Sequence, residues 1–291
     1  MAPQSCPAGD GYMERVNTGR SVLEVTVEGD GEPVLLLHGS IMGETYRAMM
    51  REPALAGRYK LISVLRQGFA GSSHSEGPYS IGEQAADALA VLHAMGEERA
   101  HVVGHSYGGV IALQLAFDAP GSVHSLALLE PALLMVPAAG AFSEAMVPAN
   151  EAYTSGDPRA AIDAFMRAAC GDNYLEVSDA TVGPGWFDQA VADAATLFAV
   201  ELPAIQEWTA PLDIAGRITQ PILSVLGEQS GPLFIEGADL LKEWFPQTER
   251  FVLTRANHML QYMNPGDMAQ ALAAFFARYP MMVSARETAA V

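Results

Sequence analysis

The segment His101-Val-Val-Gly-His-Ser-Tyr-Gly-Gly109 constrains this chain more than any other stretch. A short apolar run, Val102-Val103, enters Gly104-His105-Ser106-Tyr107-Gly108, and a helix-period stretch from Val110 to Phe117 follows at once. Strand, tight turn with a serine at its apex, then helix is the setting in which G-x-S-x-G marks a nucleophile elbow. A serine held at a strained backbone angle needs neighbours without Cβ two residues before and after, or strand and helix collide. Gly104 and Gly108 stand at those positions, and Gly109 lets the helix lie close to the sheet. The pentapeptide alone occurs by chance in many chains, so its meaning rests on what flanks it.

Leu23-Glu-Val-Thr-Val27 alternates as a half-buried antiparallel strand does, and Gly29-Asp30-Gly31 supplies a turn after it. Val34-Leu-Leu-Leu37 is apolar throughout, as a strand covered on both faces is. Leu61-Ile-Ser-Val64, Val123 to Leu129, Ile222 to Leu226 and Phe251-Val-Leu253 read the same way. Helical patterns lie between them: Ile81, Ala85, Ala88, Leu92 and Met95 share one face, as do Met268, Leu272, Phe275 and Phe276. This alternation predicts an α/β fold, a mostly parallel sheet with helices on both faces. It breaks once. From about Leu133 to Leu212 the chain is rich in Ala, with short helical patterns (Arg159 to Ala169, Phe187 to Phe198) punctuated by Pro and Gly. Residues 133–212 therefore read as a helical cap inserted into a core made of 1–132 and 213–291. The tail after Tyr279 is expected to fray.

A serine hydroxyl is a poor nucleophile unless a base takes its proton, a third group orients that base and donors receive the oxyanion. Open α/β sheets place such groups at the C-terminal edge of the strands. Phe251-Val-Leu253 is followed by Thr-Arg-Ala-Asn-His258-Met, which puts His258 at a strand end just before the next helix. His93 lies in a helical stretch and His74 in a Ser-rich loop, while His101 and His124 start strands at the wrong edge. His105 adjoins Ser106 but cannot easily turn toward its hydroxyl. His258 is thus the expected base. For the oxyanion, the Tyr107 N–H at the start of a helix is one expected donor. The Ser40 N–H in the loop His38-Gly39-Ser40-Ile41 is the other, with His38 bracing that loop.

Together the His38-Gly39 loop, the segment Arg66-Gln-Gly-Phe-Ala-Gly-Ser72, the G-x-S-x-G turn and His258 resemble the α/β-hydrolase superfamily over nearly the whole chain. The resemblance implies a mostly parallel sheet of about eight strands with a helical cap. Segment 66–72 resembles the family's R-x-G-x-G-x-S loop, with Ala70-Gly71 out of register. The family's commonest pattern puts the orienting acid at G-x-x-D after the penultimate strand. Here that segment is Gly227-Glu228-Gln229-Ser230, and serine cannot carry the charge that stabilises an imidazolium. Glu130, ending the strand after the serine turn, occupies a position that some members use for the acid, and its longer side chain suits that place. Glu228 is the alternative, although a Glu there often stands beside a separate Asp. Asp239 lies too far into the next helical stretch.

Members that cleave carbon–halogen bonds or epoxides use an Asp nucleophile, so Ser106 argues against both. The resemblance implies acyl transfer to water: cleavage of an ester or lactone of a medium-sized hydrophobic substrate through an acyl-enzyme. Thioester, carbon–carbon and cofactor-free perhydrolysis chemistry use the same triad, and a small-molecule receptor of this fold is the reading from another class. No metal or organic cofactor is implied. Apolar and Met-containing positions suggest a hydrophobic pocket drawn from Met42, Met135, Trp186, Phe187 and Met259.

Half of the 291 residues are apolar, enough for a sizeable core. The formal net charge of −18 makes nucleic acid or an anionic membrane an unsuited partner. Cys6 and Cys170 match no metal spacing and read as free thiols of a reducing compartment. Met1 to Val16 lacks the pattern of a signal peptide, and no apolar run approaches the ~20 residues of a membrane span. A cytoplasmic protein is the expectation.

Overall fold

A computed structural model of the chain describes residues 4–5, 11–75 and 77–281. Cys6 and the tail from residue 282 onward lie outside the described residues. Nine strands form one sheet: β1 (Gln4–Ser5), β2 (Tyr12–Asn17), β3 (Val22–Glu28), β4 (Glu32–Leu37), β5 (Tyr59–Leu65), β6 (Ala100–His105), β7 (Val123–Leu129), β8 (Ile222–Gly227) and β9 (Glu249–Leu253). Their order is β1-β2-β3-β5-β4-β6-β7-β8-β9. Pairings up to β3–β5 are antiparallel, and every pairing from β5 to β9 is parallel. This is the α/β architecture expected from the alternation of elements. Strand β2, Tyr-Met-Glu-Arg-Val-Asn, escaped the sequence reading because Glu14 and Arg15 are exposed and only Val16 is buried.

The parallel strands are apolar throughout because both faces are covered. Leu35, Leu37, Val102, Leu126 and Leu128 face helices Ile81–Ala94 and Tyr107–Asp118. Val34, Leu36, Val103, Ala127 and Leu129 face helix Pro265–Arg278, meeting Met268, Leu272, Phe275 and Phe276. Each such Val, Leu, Phe or Met side chain contributes about 1.5–3 kcal/mol when taken fully out of water. The helix Ile81–Ala94 starts at a capping box in which the Ser80 side chain takes the Glu83 N–H and the Glu83 carboxylate takes the Ser80 N–H.

The chain leaves β4 for β5 on one side and returns for β6 on the other, so the strand order reverses beside β4. Crevices at such reversals, at the carboxyl ends of the strands, are where open α/β sheets bind ligands. Residues 130–221, all described, contain no strand. The helix Pro158–Cys170 there is amphipathic, capped by Asp157 accepting from Ala160 N–H, with Pro158 in its first turn. The stretch expected to be helical from Phe187 to Phe198 breaks at Asp193, after helix Trp186–Ala192, and continues as a π-helical turn over Thr196–Glu201. Among the described residues no helix is long and apolar enough to cross a membrane.

Candidate active site

Ser106 adopts φ 53° and ψ −119°, between β6 and the helix that starts at Tyr107. A β-carbon-bearing residue rarely holds such an angle unless its surroundings over-determine it. Here they do. Ser106 N–H donates to Leu129 O at 3.0 Å, and Ser106 O accepts from Gly109 N–H at 2.9 Å and Ala132 N–H at 3.1 Å. The helix comes so close to β4 that a Cβ on Gly108 would lie 2.2 Å from Leu37 O, and one on Gly104 would lie 2.5 Å from Gly108 O. The glycine spacing is a packing requirement.

His258 Nε2 lies 3.0 Å from Ser106 Oγ, and His258 Nδ1 lies 2.7 Å from Glu130 Oε2. Glu130 follows β7 at φ 47°, which turns its carboxylate under the histidine loop. Its other oxygen accepts from Gly227 N–H at 2.6 Å and from the Ser230 hydroxyl at 2.5 Å. Ser230, at the last position of Gly227-Glu-Gln-Ser230, thus holds a carboxylate that comes from the end of another strand. Glu228 is exposed and accepts from Arg255 N–H, and Asp239 pairs with Arg250, so neither approaches His258. The His258 ring is clamped between two others. Phe234 stacks on it at 3.8 Å and 9°, and His105 tilts against it at 4.7 Å. His105 Nε2 donates to His258 O at 3.0 Å. Burial, together with His258 nearby, holds the His105 pKa well below the usual imidazole range.

The loop after β4 is braced as expected. Arg66 N–H donates to His38 Nε2 at 3.0 Å, which leaves the His38 proton on Nδ1 to be donated to Gly39 O at 2.7 Å. Burial and the Arg66 charge keep His38 neutral, with a pKa well below normal. The Arg66 guanidinium is itself buried, and donates to His38 O, Gly39 O and Gln84 Oε1. The out-of-register Ala70 takes φ 47°, a conformation glycine adopts more easily, and its N–H is held by Asp193 Oδ2.

Two adjoining cavities, of ≈ 400 and ≈ 470 Å³ including their mouths, meet at Ser106 and His258. Ser40 borders both, Met42 and Met259 the first, and Tyr107 the second. Three residues expected at the pocket are elsewhere. Met135 is 42% exposed, and its neighbour Leu134 lines the second cavity instead. Trp186 and Phe187 pack on Tyr174, with the Trp186 indole donating to Asp179 and Arg159 lying over Phe187. A Trp or Phe in a helical stretch fits a lining or a packing role equally by sequence, and here packing against Tyr174 took them. Phe142, Phe165 and Phe234 line the second cavity. Nothing in the sequence separates these from other apolar helix positions. Among the described residues, no group of three or more His, Cys, Asp and Glu is gathered to hold a metal ion.

A sequence model of the alpha/beta hydrolase fold family matches residues 32–265. The chain belongs to the α/β-hydrolase family. This α/β-hydrolase is 26% identical to 2-hydroxymuconate semialdehyde hydrolase of Pseudomonas sp. (strain CF600), over 95% of this chain and 96% of that one. It is also 26% identical to pimeloyl-[acyl-carrier protein] methyl ester esterase of Aeromonas hydrophila, over 81% and 92% respectively. In fold it is similar to a thermophilic esterase from Thermogutta terrifontis, with a TM-score of 0.75, 19% identity, and 89% and 95% of the two chains covered. At 38% and 35% identity it spans less than half the length, 44% and 41%, of two further curated relatives.

Proposed function

We propose that this α/β-hydrolase cleaves a carboxylic ester or lactone of a medium-sized hydrophobic substrate through an acyl-enzyme on Ser106. The observation that carries this reading is the continuous array Ser106 Oγ–His258 Nε2 and His258 Nδ1–Glu130 Oε2, at 3.0 and 2.7 Å. Ser106 Oγ attacks the substrate carbonyl as His258 Nε2 takes its proton. Negative charge then gathers on the carbonyl oxygen, where the Ser40 and Tyr107 amides receive it, the latter aided by its helix dipole. His258 returns the proton to the leaving alkoxide, then takes one from water, which attacks the acyl carbon and frees Ser106. Glu130 holds the imidazole in the tautomer with Nδ1–H and offsets its charge while it is protonated.

Residues 133–212 serve as the lid over this site, supplying Leu134, Phe142 and Phe165 to its apolar wall. An uncharged hydrophobic ester fits such a wall and needs no cofactor. Cys170, a buried free thiol whose pKa burial pushes up to about 12, suits a reducing cytoplasm. The test is steady-state hydrolysis of p-nitrophenyl esters and lactones of increasing chain length. The expected result is turnover that peaks at medium chains and is lost in Ser106→Ala. Tight binding of these compounds without turnover would indicate a receptor instead.

The similarity along 95% of the chain to a 2-hydroxymuconate semialdehyde hydrolase favours, as a second reading, hydrolysis of a carbon–carbon bond by the same residues. Measuring such a semialdehyde against the esters in one preparation separates the two.

A further inference from the structure

Three contacts tie the helical segment to the loop after β5. Thr196 Oγ1 donates to Gly68 O at 2.6 Å, Ala70 N–H donates to Asp193 Oδ2 at 3.2 Å, and Glu201 Oε1 lies 2.6 Å from Arg66 Nη2. Thr196 and Glu201 are the two ends of the π-helical turn, a winding that occurs mostly as single turns and is frequent at functional sites. Glu201 is 1% exposed and lines the ≈ 470 Å³ cavity beside Ser106, Ser40 and Tyr107.

The ion pair does not account for this carboxylate. Three of the five N–H groups of Arg66 go to His38 O, Gln84 Oε1 and Gly39 O, and no remaining N–H is aligned with Glu201 Oε1 despite the 2.6 Å separation. Neither oxygen of Glu201 has a hydrogen-bond partner, although both are buried. Arg66 thus balances the charge and leaves the acceptor capacity open. Buried carboxylate oxygens are costly in that state, and they call for a donor. The neighbouring wall is apolar at Leu134, Phe142, Leu197, Leu202 and Ile205, and the donors that share the cavity, on Ser40, Ser106, Tyr107 and His258, make no hydrogen bond to Glu201. The donor therefore comes from what fills the cavity.

We propose that Glu201 is a specificity-determining residue of the hydrolase site, an inference that rests on the proposed ester or lactone hydrolysis. It accepts a hydrogen bond from a neutral donor, a hydroxyl or amide N–H, carried on the otherwise apolar acyl chain. The donor is neutral because Arg66 already offsets the carboxylate. An ammonium would add an unbalanced positive charge beside the guanidinium in an apolar cavity. It sits on the acyl side because this cavity is bordered by Ser106 and both oxyanion amides. An adjoining cleft that shares Phe234 and His258 with it, on the side where His258 protonates the leaving group, is bordered by Arg167, Gln229 and Asn257 and not by Ser106.

The experiment uses p-nitrophenyl esters of one medium-chain acid, unsubstituted or carrying a hydroxyl at successive carbons. In the wild type, one position should raise kcat/KM over the unsubstituted ester by about 10- to 100-fold. In Glu201→Leu that ratio should fall to about 1, while Glu201→Gln, which keeps an acceptor, should retain part of it. A purely structural Glu201 would lower both esters in proportion and leave the ratio unchanged, which overturns the proposal. So does a wild-type ratio of about 1 at every position, whatever the folding of the variants. Calorimetric binding of the same esters to Ser106→Ala reads the ratio without turnover. Absent wild-type turnover with the Kd ratio preserved marks failure of the hydrolase reading alone, and equal Kd values mark failure of the role of Glu201.

Discussion

The Ser230 hydroxyl donates to the Glu130 carboxylate at 2.5 Å, across 100 residues of sequence. With the Gly227 N–H it satisfies one carboxylate oxygen and leaves the other to His258. The position at which a G-x-x-D pattern would place a carboxylate therefore holds a serine that donates to a carboxylate from the end of β7.

If Glu130 orients His258, Glu130→Gln should lower kcat by about 10⁴-fold with the fold intact, as loss of the orienting charge does in related triads. Glu228→Gln should stay within a few-fold of wild type. Ester kinetics with circular dichroism on both variants check this. Near-normal turnover in Glu130→Gln, with Glu228→Gln inactive, would reverse the assignment.

Ser230→Ala removes one charge-assisted hydrogen bond from Glu130, while Gly227 N–H continues to hold the same oxygen. A drop in kcat of about tenfold is expected, with KM little changed. A change confined to KM would place Ser230 in substrate binding.

Phe234 lies flat on the His258 ring. Its truncation to Ala frees the imidazole to swing out of line with Ser106, and kcat should fall by about 3- to 10-fold. Phe234→Tyr, which keeps the ring, should restore most of the loss. If Phe234→Ala and Phe234→Tyr are equally impaired, stacking is not the cause.

Burial lowers the His101 pKa to about 4, against 6.5 for an exposed imidazole, with the hydrogen bond to Glu32 opposing the shift. Between those values the unfolded chain binds a proton that the folded chain refuses, so stability is complete above pH 6.5 and declines as pH falls toward 4. His38 and His105 are also pulled down by burial and act in the same direction. Melting temperature should therefore fall between about pH 7 and pH 5, with a shallower slope in His101→Gln. Parallel slopes in the two proteins would remove His101 from the effect.

Much of the fold was legible because the parallel strands are apolar on both faces and the helices are amphipathic. The serine turn was legible because its glycines answer a contact distance. Ser106 and His258 can be proposed from chain order, each lying beyond a strand end, whereas Glu130 rests on the resemblance and leaves Glu228 open until its contact with His258 is seen. The pocket was not legible. Leu134 lines the cavity while Met135 beside it is exposed, and only the turn after Pro131 decides which of the two points inward. Glu201 was equally hidden. Its direction depends on a π-helical turn held by Thr196 on Gly68, a long-range contact that leaves no local signature.

The central claim is that Ser106 is an activated nucleophile, and the most direct test is intact-protein mass spectrometry after exposure to a fluorophosphonate. The expected result is one adduct per chain, mapped to the peptide containing Ser106, absent in Ser106→Ala and formed far more slowly in His258→Ala. An unlabelled wild-type protein, or an adduct that persists in Ser106→Ala, would contradict it.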